Sequence, residues 1–409
     1  MTGALLVLNA GSSSLKFAVY PIAEDTHPPF VRGKFAGIGT APVFSARRRD
    51  GETLPWDQFP PLAKNTGHDA LIPALLDWLK AQLGDLPIVA AGHRVVHGGR
   101  FHDGPARVTD ALLAELDALV PLAPLHQPHN LAAIRCVATA APDLPQVACF
   151  DTSFHRSQSP LAQMFALPRH LTEEGILRYG FHGLSYDYIA GILPRHLGAR
   201  ADGRVIVAHL GNGASMCAMK NRRSVATSMG FTALDGLVMG QRCGTLDPGV
   251  VLYLMQEKGM SAAEISTLLY ERSGLLGVSG ISNDMATLEA CNTPRAEEAI
   301  ALFCYRAAGE LAQLAASIDG LDTIVFTAGI GENSASIRAR ICDRLLWMGV
   351  KLDASANTKN ALRISALWSE IEVLVIPTDE EAIIAHSTRV LTTDRCDENT
   401  AFPDKRLEG

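Results

Sequence analysis

Leu5-Leu6-Val7-Leu8-Asn9-Ala10-Gly11-Ser12-Ser13-Ser14-Leu15-Lys16-Phe17-Ala18-Val19-Tyr20 is an apolar run, a small polar turn and an alternating apolar segment. The pattern predicts a strand, a tight loop and a second strand. Successive backbone N–H groups in such a loop, with no bulky side chains over them, can cradle an anion such as phosphate. An ordinary hairpin carries the same signature, so the remainder of the chain has to decide between the two.

Length comes first. At 409 residues the chain exceeds one typical core, and two domains are the default expectation. Apolar residues make up 47% and charged residues 19%, as in an ordinary globular protein, and no apolar run is long enough to span a bilayer. Met1-Thr2-Gly3 has no basic region ahead of the first strand, so no secretory leader is expected. A net charge of −7 without a strongly basic block argues against nucleic acid or an anionic membrane as partner. Arg47-Arg48-Arg49, flanked by Asp50 and Glu52, reads as a solvated loop. Cys136, Cys149, Cys217, Cys243, Cys291, Cys304, Cys342 and Cys396 are scattered, without a CxxC pair or a zinc spacing, which fits a reducing cytoplasm.

Further along, Asp69–Leu83 carries a helical apolar stripe, and Pro87–Ala91 reads as a short strand. A loop rich in Gly, His and Arg is expected over 92–99. Thr109 caps a helix to about Val120, and a proline-rich turn leads to another helix ending near Ala141. Gln146–Phe150 is a strand that stops at Asp151. In the second half, 178–185 opens a helix, Val205–His209 is a strand, and Gly211-Asn212-Gly213-Ala214-Ser215 turns into another strand. Thr323–Thr327 then runs into Ala328-Gly329-Ile330-Gly331-Glu332-Asn333 and a helix, read as the counterpart of the strand ending at Asp151. Glu372–Ile376 is the last strand, followed by a helix from Glu381 to Leu391 and a polar tail from Thr392 that is expected to be poorly ordered. Strands alternating with helices indicate an α/β architecture, and the repeated hairpin points to internal duplication. Ligands bind beyond the carboxyl ends of strands in such sheets, where Asn9, Arg94, Asp151, Asn212 and Glu332 are expected.

Phosphoryl transfer needs glycine-rich backbone cradles, cationic side chains and carboxylates for Mg²⁺. These parts are present, whereas GxxxxGK[ST], HExxH and GxSxG are absent, as is a GxGxxG after the first strand. Singly, each part has a structural explanation: Arg94 and Arg242 could brace glycine-flanked turns, Asp151 could cap a turn, Gly329-Ile330-Gly331-Glu332-Asn333 could be a helix-entry turn, and His182 could be a core histidine. Five such sites at strand ends favour a phosphate-handling cleft.

The chain also resembles the acetate kinase family, within the superfamily of acetate and sugar kinases, heat-shock ATPases and actin. The resemblance rests on LNAGSSSLKF at 8–17, GHRVVHGG at 92–99, APLHQPHN at 123–130, FDTSFH at 150–155, RYGFHG at 178–183 and HLGNGAS at 209–215. TSMGFTALDGLVMGQRCGTLDPG at 227–249, GIGENS at 329–334 and IPTDEEAIIA at 376–385 complete it, in order along most of the chain. It implies two duplicated ribonuclease-H-like domains with a nucleotide cleft between them: 1–151 plus about 382–409 on the substrate side, and 152–381 binding nucleotide. It further implies a cytoplasmic homodimer that uses ATP and Mg²⁺ to phosphorylate acetate directly, with ADP as co-product. On that resemblance Arg94 and Arg242 hold the carboxylate and the migrating phosphoryl, Asp151 orients the substrate arginine and the metal's water, and His182 with Arg242 stabilises the transition state. Asn9 and Glu380 serve the metal and phosphate end. The nucleotide is assigned Lys16, His209, Leu210, Gly211, Asn212, Gly213, Asp284, Met285, Ala286, Gly329, Ile330, Gly331 and Asn333. The acyl pocket is assigned Val96, Leu125, Phe181 and Ala233.

Four positions depart from the family pattern. Ala286 stands where an arginine is usual, which bears on base preference. Ala233 replaces a proline, and a smaller wall admits propionate as well as acetate. Gln127 and Asp379 replace residues usually Asn and keep their polarity. Two other functions compete. A kinase acting on a hydroxyl would need a carboxylate base, for which Asp151 is the one candidate; a non-catalytic nucleotide switch would have no use for the paired arginines Arg94 and Arg242.

Overall fold

A computed structural model of the chain describes residues 3–23, 28–54, 59, 63 and 66–393. The first apolar run is strand β1 (Ala4–Ala10), buried throughout, and it turns at Gly11-Ser12-Ser13 into the antiparallel β2 (Ser14–Pro21). The hairpin continues antiparallel through β3 (Val31–Ala36), β4 (Val43–Arg48) and β5 (Thr53–Leu54). On the other side β1 pairs in parallel with β6 (Ile88–Val95), which pairs in parallel with β8 (Gln146–Phe150); β7 (Ala106–Arg107) closes that edge. The order is β5-β4-β3-β2-β1-β6-β8-β7.

The second sheet consists of β9 (Val205–Leu210), β10 (Ala214–Lys220), β11 (Arg223–Thr227), β12 (Thr323–Thr327) and β13 (Glu372–Val375). Its order is β11-β10-β9-β12-β13, with β9–β10 antiparallel and β9, β12 and β13 parallel. The two sheets therefore share one plan: a hairpin whose first strand is followed by two parallel neighbours. That plan corrects one expectation. The counterpart of β12 is β6, the middle parallel strand, and the strand ending at Asp151 corresponds instead to β13.

The chain divides into two compact units, 1–98 with 104–150 and 381–409, and 99–103 with 151–380. In the first unit Leu6, Leu8, Phe17 and Phe35 pack beneath the helix His68–Leu83, through Leu71, Leu75 and Leu79. A second cluster joins Val95 and Phe150 to the helices Asp110–Ala118 and Gln127–Ala140. Thr109 caps the first of these as expected, its hydroxyl accepting the Leu112 N–H at 3.1 Å. In the second unit the helix Gly183–Leu197 lays Tyr186, Ile189 and Leu193 over Val205, Val207, Cys217 and Val325.

Three expectations change in detail. Residues 92–95 are strand, not loop. Gly92 is the position where the final helix, Glu380–Thr393, comes closest, since a Cβ there would lie 2.1 Å from Thr388 Oγ1. Arg47 and Arg48 belong to β4 rather than to a solvated loop, and Arg48 donates to Gln82 Oε1 at 2.7 Å. Thr392 and Thr393 close the final helix; the remainder of the expected tail, 394–409 with Cys396, lies outside the described residues.

Phe17 is fully buried, its ring facing Gly33 across the ladder and lying 6.1 Å from those of Phe44 and Trp78. A Cβ on Gly33 would sit 2.5 Å from that ring, so glycine makes room for it. Phe17→Ala is expected to lower stability by about 3–5 kcal/mol, read from denaturant unfolding of the full chain.

Candidate active site

In the first unit the site side chains stand at the carboxyl ends of β1 and β6. Asn9 is buried near the end of β1, and Arg94 Nη1 donates to its Oδ1 at 3.3 Å. The segment after β6 is tied to the helix Gln127–Ala140 by two amide side chains. Asn130 Oδ1 accepts the Val96 N–H at 2.9 Å while its Nδ2 donates to the Ala10 carbonyl at 2.6 Å. Gln127 holds both backbone groups of His97, accepting its N–H at 3.1 Å and donating to its carbonyl at 3.0 Å. Val96 is buried between these anchors, and Leu125 is 37% exposed. Lys16 is exposed on β2 opposite Asn9, so it lies in the first unit, whereas the other residues assigned to the nucleotide lie in the second.

In the second unit, Asp151 follows β8 at 1% exposure, and its carbonyl accepts the Gly183 N–H at 2.8 Å. Between them lies His182, which has a left-handed backbone at φ 58° and caps the helix Gly183–Leu197. Its Nδ1 lies 2.8 Å from Ser215 Oγ, which also bonds the Tyr186 hydroxyl. Burial raises the Tyr186 pKa well above its ordinary value, which keeps that hydroxyl protonated. The His182 and His209 rings stack at 4.3 Å, and His209 Nδ1 lies 2.8 Å from Ser185 Oγ.

The turn Gly211-Asn212-Gly213 reaches this group. A Cβ on Gly213 would lie 3.4 Å from His182 Nε2 and 3.8 Å from Arg242 Nη1, so one glycine borders both side chains. Arg242 donates to the Ala233 carbonyl at 3.0 Å. The Gly240 N–H donates to the Asn212 carbonyl at 2.9 Å, which fixes the turn against the loop carrying Arg242. Phe181 is buried at 1% exposure.

Gly329, Ile330, Gly331 and Asn333 form the short helix Ala328–Asn333, entered directly from β12 through Ala328 at φ 65°. Glu332 Oε1 accepts the N–H of Ala328 at 2.7 Å and of Thr378 at 3.2 Å, joining that helix to the segment before Glu380. Asp284 and Ala286 are exposed and Met285 is buried. The Asp284 carboxylate caps the helix Met285–Glu289, accepting from the Thr287 N–H and hydroxyl at 2.8 Å each, and these bonds lower its pKa.

Several residues of this frame carried no sequence signal of their own role. Arg338 is fully buried, donates to the carbonyls of Gly331, Glu332 and Asn357 and to the side chains of Asn357 and Asn360, and so holds the carboxyl end of the helix Ala328–Asn333. Asn130, Gln127 and Glu332 stood inside the quoted motifs, and their bonding gave the reason only once the fold was known.

Two duplicated units, each a hairpin followed by parallel strands, with arginine, histidine and glycine turns at the strand ends, define a kinase of the ribonuclease-H-like, actin-type fold. The Acetokinase family model matches residues 4–386, and the chain belongs to that family. It is 55% identical over 390 residues to the acetate kinase of Rhodopseudomonas palustris, covering 94% of this chain and 97% of that protein. A crystal structure of a propionate kinase from Francisella tularensis superposes with a TM-score of 0.88 at 36% identity, covering 95% of this chain and 99% of the other. The Porphyromonas gingivalis acetate kinase structure gives a TM-score of 0.84 at 34% identity, over 95% of this chain and 99% of that one.

Burial lowers the pKa of His93, His97 and His155 to about 4. An unfolded chain titrates these imidazoles near 6.5, so between about pH 6.5 and 4 the unfolded state binds protons that the folded state does not. Stability is expected to fall as pH is lowered through that window. The denaturant midpoint measured from pH 7 to 4.5 checks this, and His97→Gln should remove part of the slope.

Proposed function

We propose that this chain transfers the γ-phosphoryl group of ATP to a carboxylate oxygen of acetate or propionate, giving acyl phosphate and ADP, reversibly and by direct in-line displacement. The observation that carries the reading is the meeting of Arg242, His182 and Gly213 within one unit, two cationic or donor side chains beside a bare backbone turn. The full-length similarity to acetate and propionate kinases supports the same acceptor class.

A carboxylate is already ionised at neutral pH, so no general base is required. Its oxygen forms the new bond to phosphorus as the bond to the bridging oxygen of ADP breaks, and no proton has to move. The catalytic task is to hold anions together and to neutralise charge on the planar phosphoryl group. In the second unit Arg242 holds that group, and His182 donates from Nε2. The chain from the Tyr186 hydroxyl through Ser215 to His182 Nδ1 supports that tautomer, because Tyr186 stays protonated and can donate. The turn 211–213, with His209, Leu210 and the helix Ala328–Asn333, receives the nucleotide phosphates, and 284–286 lies toward the adenosine. In the first unit Arg94 receives the substrate carboxylate, with Asn9 braced by it and Val96 and Leu125 facing the acyl chain; Lys16 serves the phosphate end. Phe181 and Ala233 of the second unit are proposed as acyl-facing residues as well. The domains proposed are a substrate-side unit of 1–151 plus about 382–409 and a nucleotide unit at 152–381.

Mg²⁺ prefers one or two carboxylates together with phosphate oxygens and water. Glu380, Asp151 and Asn9 are oxygen donors of that kind, while no group of three His, Cys, Asp or Glu gathers into a metal cage among the described residues. Glu380 and Asn9 would hold the ion, Asp151 would orient its water, and the ion would neutralise phosphate charge. A homodimer is proposed as well. Leu161, Tyr305 and Trp347, highly exposed apolar side chains that line one cavity of the second unit, support it. No helix among the described residues is long and apolar enough to cross a membrane, and the seven described cysteines are free thiols. The free thiols fit the proposed reducing cytoplasm, and the net charge of −7 without a strongly basic block is what argues against nucleic acid or an anionic membrane as partner.

Trapping acyl phosphate as hydroxamate with MgATP should give product with acetate and with propionate; no product with any short carboxylate would overturn the reading. Arg242→Ala should lower kcat by about 10²–10³-fold, the loss seen for a single charge-stabilising donor, with an unchanged melting curve.

A further inference from the structure

His155 has no part in the chemistry proposed above, although it closes the motif 150–155 that begins beside Asp151. It is 1% exposed, and both ring nitrogens are engaged. Nε2 donates to the Phe181 carbonyl at 3.0 Å, and Nδ1 lies 2.9 Å from Ser224 Oγ. A carbonyl can only accept, so the ring proton is on Nε2 and Nδ1 must accept from the Ser224 hydroxyl. Ser224 is set up for that direction. Its oxygen accepts from Gln158 Nε2 at 2.9 Å and from Cys217 Sγ at 3.3 Å, which leaves its own proton for His155. The bonds from Gln158 to Ser224, from Ser224 to His155 and from His155 to Phe181 thus run in one direction.

What it holds is the turn before the helix Gly183–Leu197. Gly180, at φ 75°, lies flat against the His155 ring, where a Cβ would come within 2.6 Å of Cγ and Cδ2. Phe181, whose carbonyl His155 grips, precedes the left-handed His182 directly. The ring also meets Tyr186 edge-on at 5.5 Å, and Tyr186 bonds the same Ser215 hydroxyl as His182 Nδ1. His182 is thus braced by His155 from its backbone side and through Tyr186 from its imidazole side.

We infer that His155 is a positioning residue for His182: its Nε2–H grip on the Phe181 carbonyl, oriented by Ser224, fixes where the His182 imidazole points. The inference rests on the role proposed for His182. A left-handed histidine at a helix start has no side-chain cap of its own, so an outside donor has to set the preceding peptide plane. A neutral imidazole locked in one tautomer does so without adding a charge.

The test is a kinetic double-mutant cycle on the full-length protein. His155→Phe keeps a ring against Gly180 and removes the grip. It should lower kcat by about 10–100-fold, as expected for a misplaced catalytic group, with KM for ATP and for acetate unchanged within about twofold. In a His182→Ala background the same substitution should have little further effect on kcat. An equal fold-loss in both backgrounds would overturn the inference, as would a rise in KM with kcat unchanged. If His182→Ala alone leaves kcat intact, the role of His182 fails and the inference with it, an outcome distinct from an additive cycle. Ser224→Ala, which removes only the orienting hydroxyl, is carried through the same cycle with the same outcomes should His155→Phe not fold.

Discussion

The hydrogen bond from the Gly183 N–H to the Asp151 carbonyl is the constraint on which the second unit's site depends. A Cβ at Gly183 would lie 2.2 Å from that oxygen, so glycine alone lets the two backbones meet. The bond ties Asp151, the residue after β8, to the first turn of the helix Gly183–Leu197. That turn carries Ser185 and Tyr186, which reach His209 and Ser215 respectively. His182, at the turn's edge, is held in a left-handed conformation costly for a side chain larger than glycine. A strained residue at a site persists only where its surroundings over-determine it, and here a backbone bond, a hydroxyl and a stacked ring do so.

Burial decides the electrostatics of this frame. His93, His97 and His155 are enclosed and stay neutral, and His93 Nε2 and both ring nitrogens of His155 take part in fixed hydrogen bonds rather than carrying charge. Arg338 is the opposite case, a buried cation bonded to carbonyls and amide oxygens. Its guanidinium lies where the helix Ala328–Asn333 presents its carbonyl end, and a positive charge is favourable there. The amino end of that helix is left to Glu332, which satisfies the Ala328 N–H from within. The same carboxylate takes the Thr378 N–H, so the β12 and β13 loops share one anchor.

Most strands were legible because their signals are local. β1, β8 and β9 are apolar runs ended by Gly or Asp, β2, β10 and β12 are apolar stretches of strand length, and Thr109 announced its helix. The end of β6 was not legible. Gly92-His93-Arg94 has loop composition, yet Gly92 is required by the close passage of Thr388, nearly three hundred residues away, and His93 lies 2.7 Å from the Gln146 amide. The candidate side chains of each unit could be found from motifs, but not which of them adjoin. That Gly213 borders His182 and Arg242 follows from turns separated by 29 or more residues. Arg338 and His155 were hidden for a related reason: each grips backbone carbonyls, which leave no trace in side-chain identity, and their side-chain partners lie 19 or more residues away.

The strand orders also change what the duplication means. With β12 matched to β6 and β13 to β8, Asp151 and Glu380 come after equivalent strands of the two sheets, one residue beyond β8 and five beyond β13. The hairpin turns Gly11-Ser12-Ser13 and Gly211-Asn212-Gly213 are equivalent too. What differs is the middle strand. Arg94 stands one residue before the end of β6 and its guanidinium reaches Asn9, whereas β12 ends in Thr327 and passes at once into the helix Ala328–Asn333. One shared plan thus yields a cation near one strand end and a short glycine-containing helix after the other, and the two suit the different ligands proposed for them. A single carboxylate is met by a fork of N–H donors on a side chain. A chain of phosphates needs close backbone approach over several atoms, which side chains would obstruct.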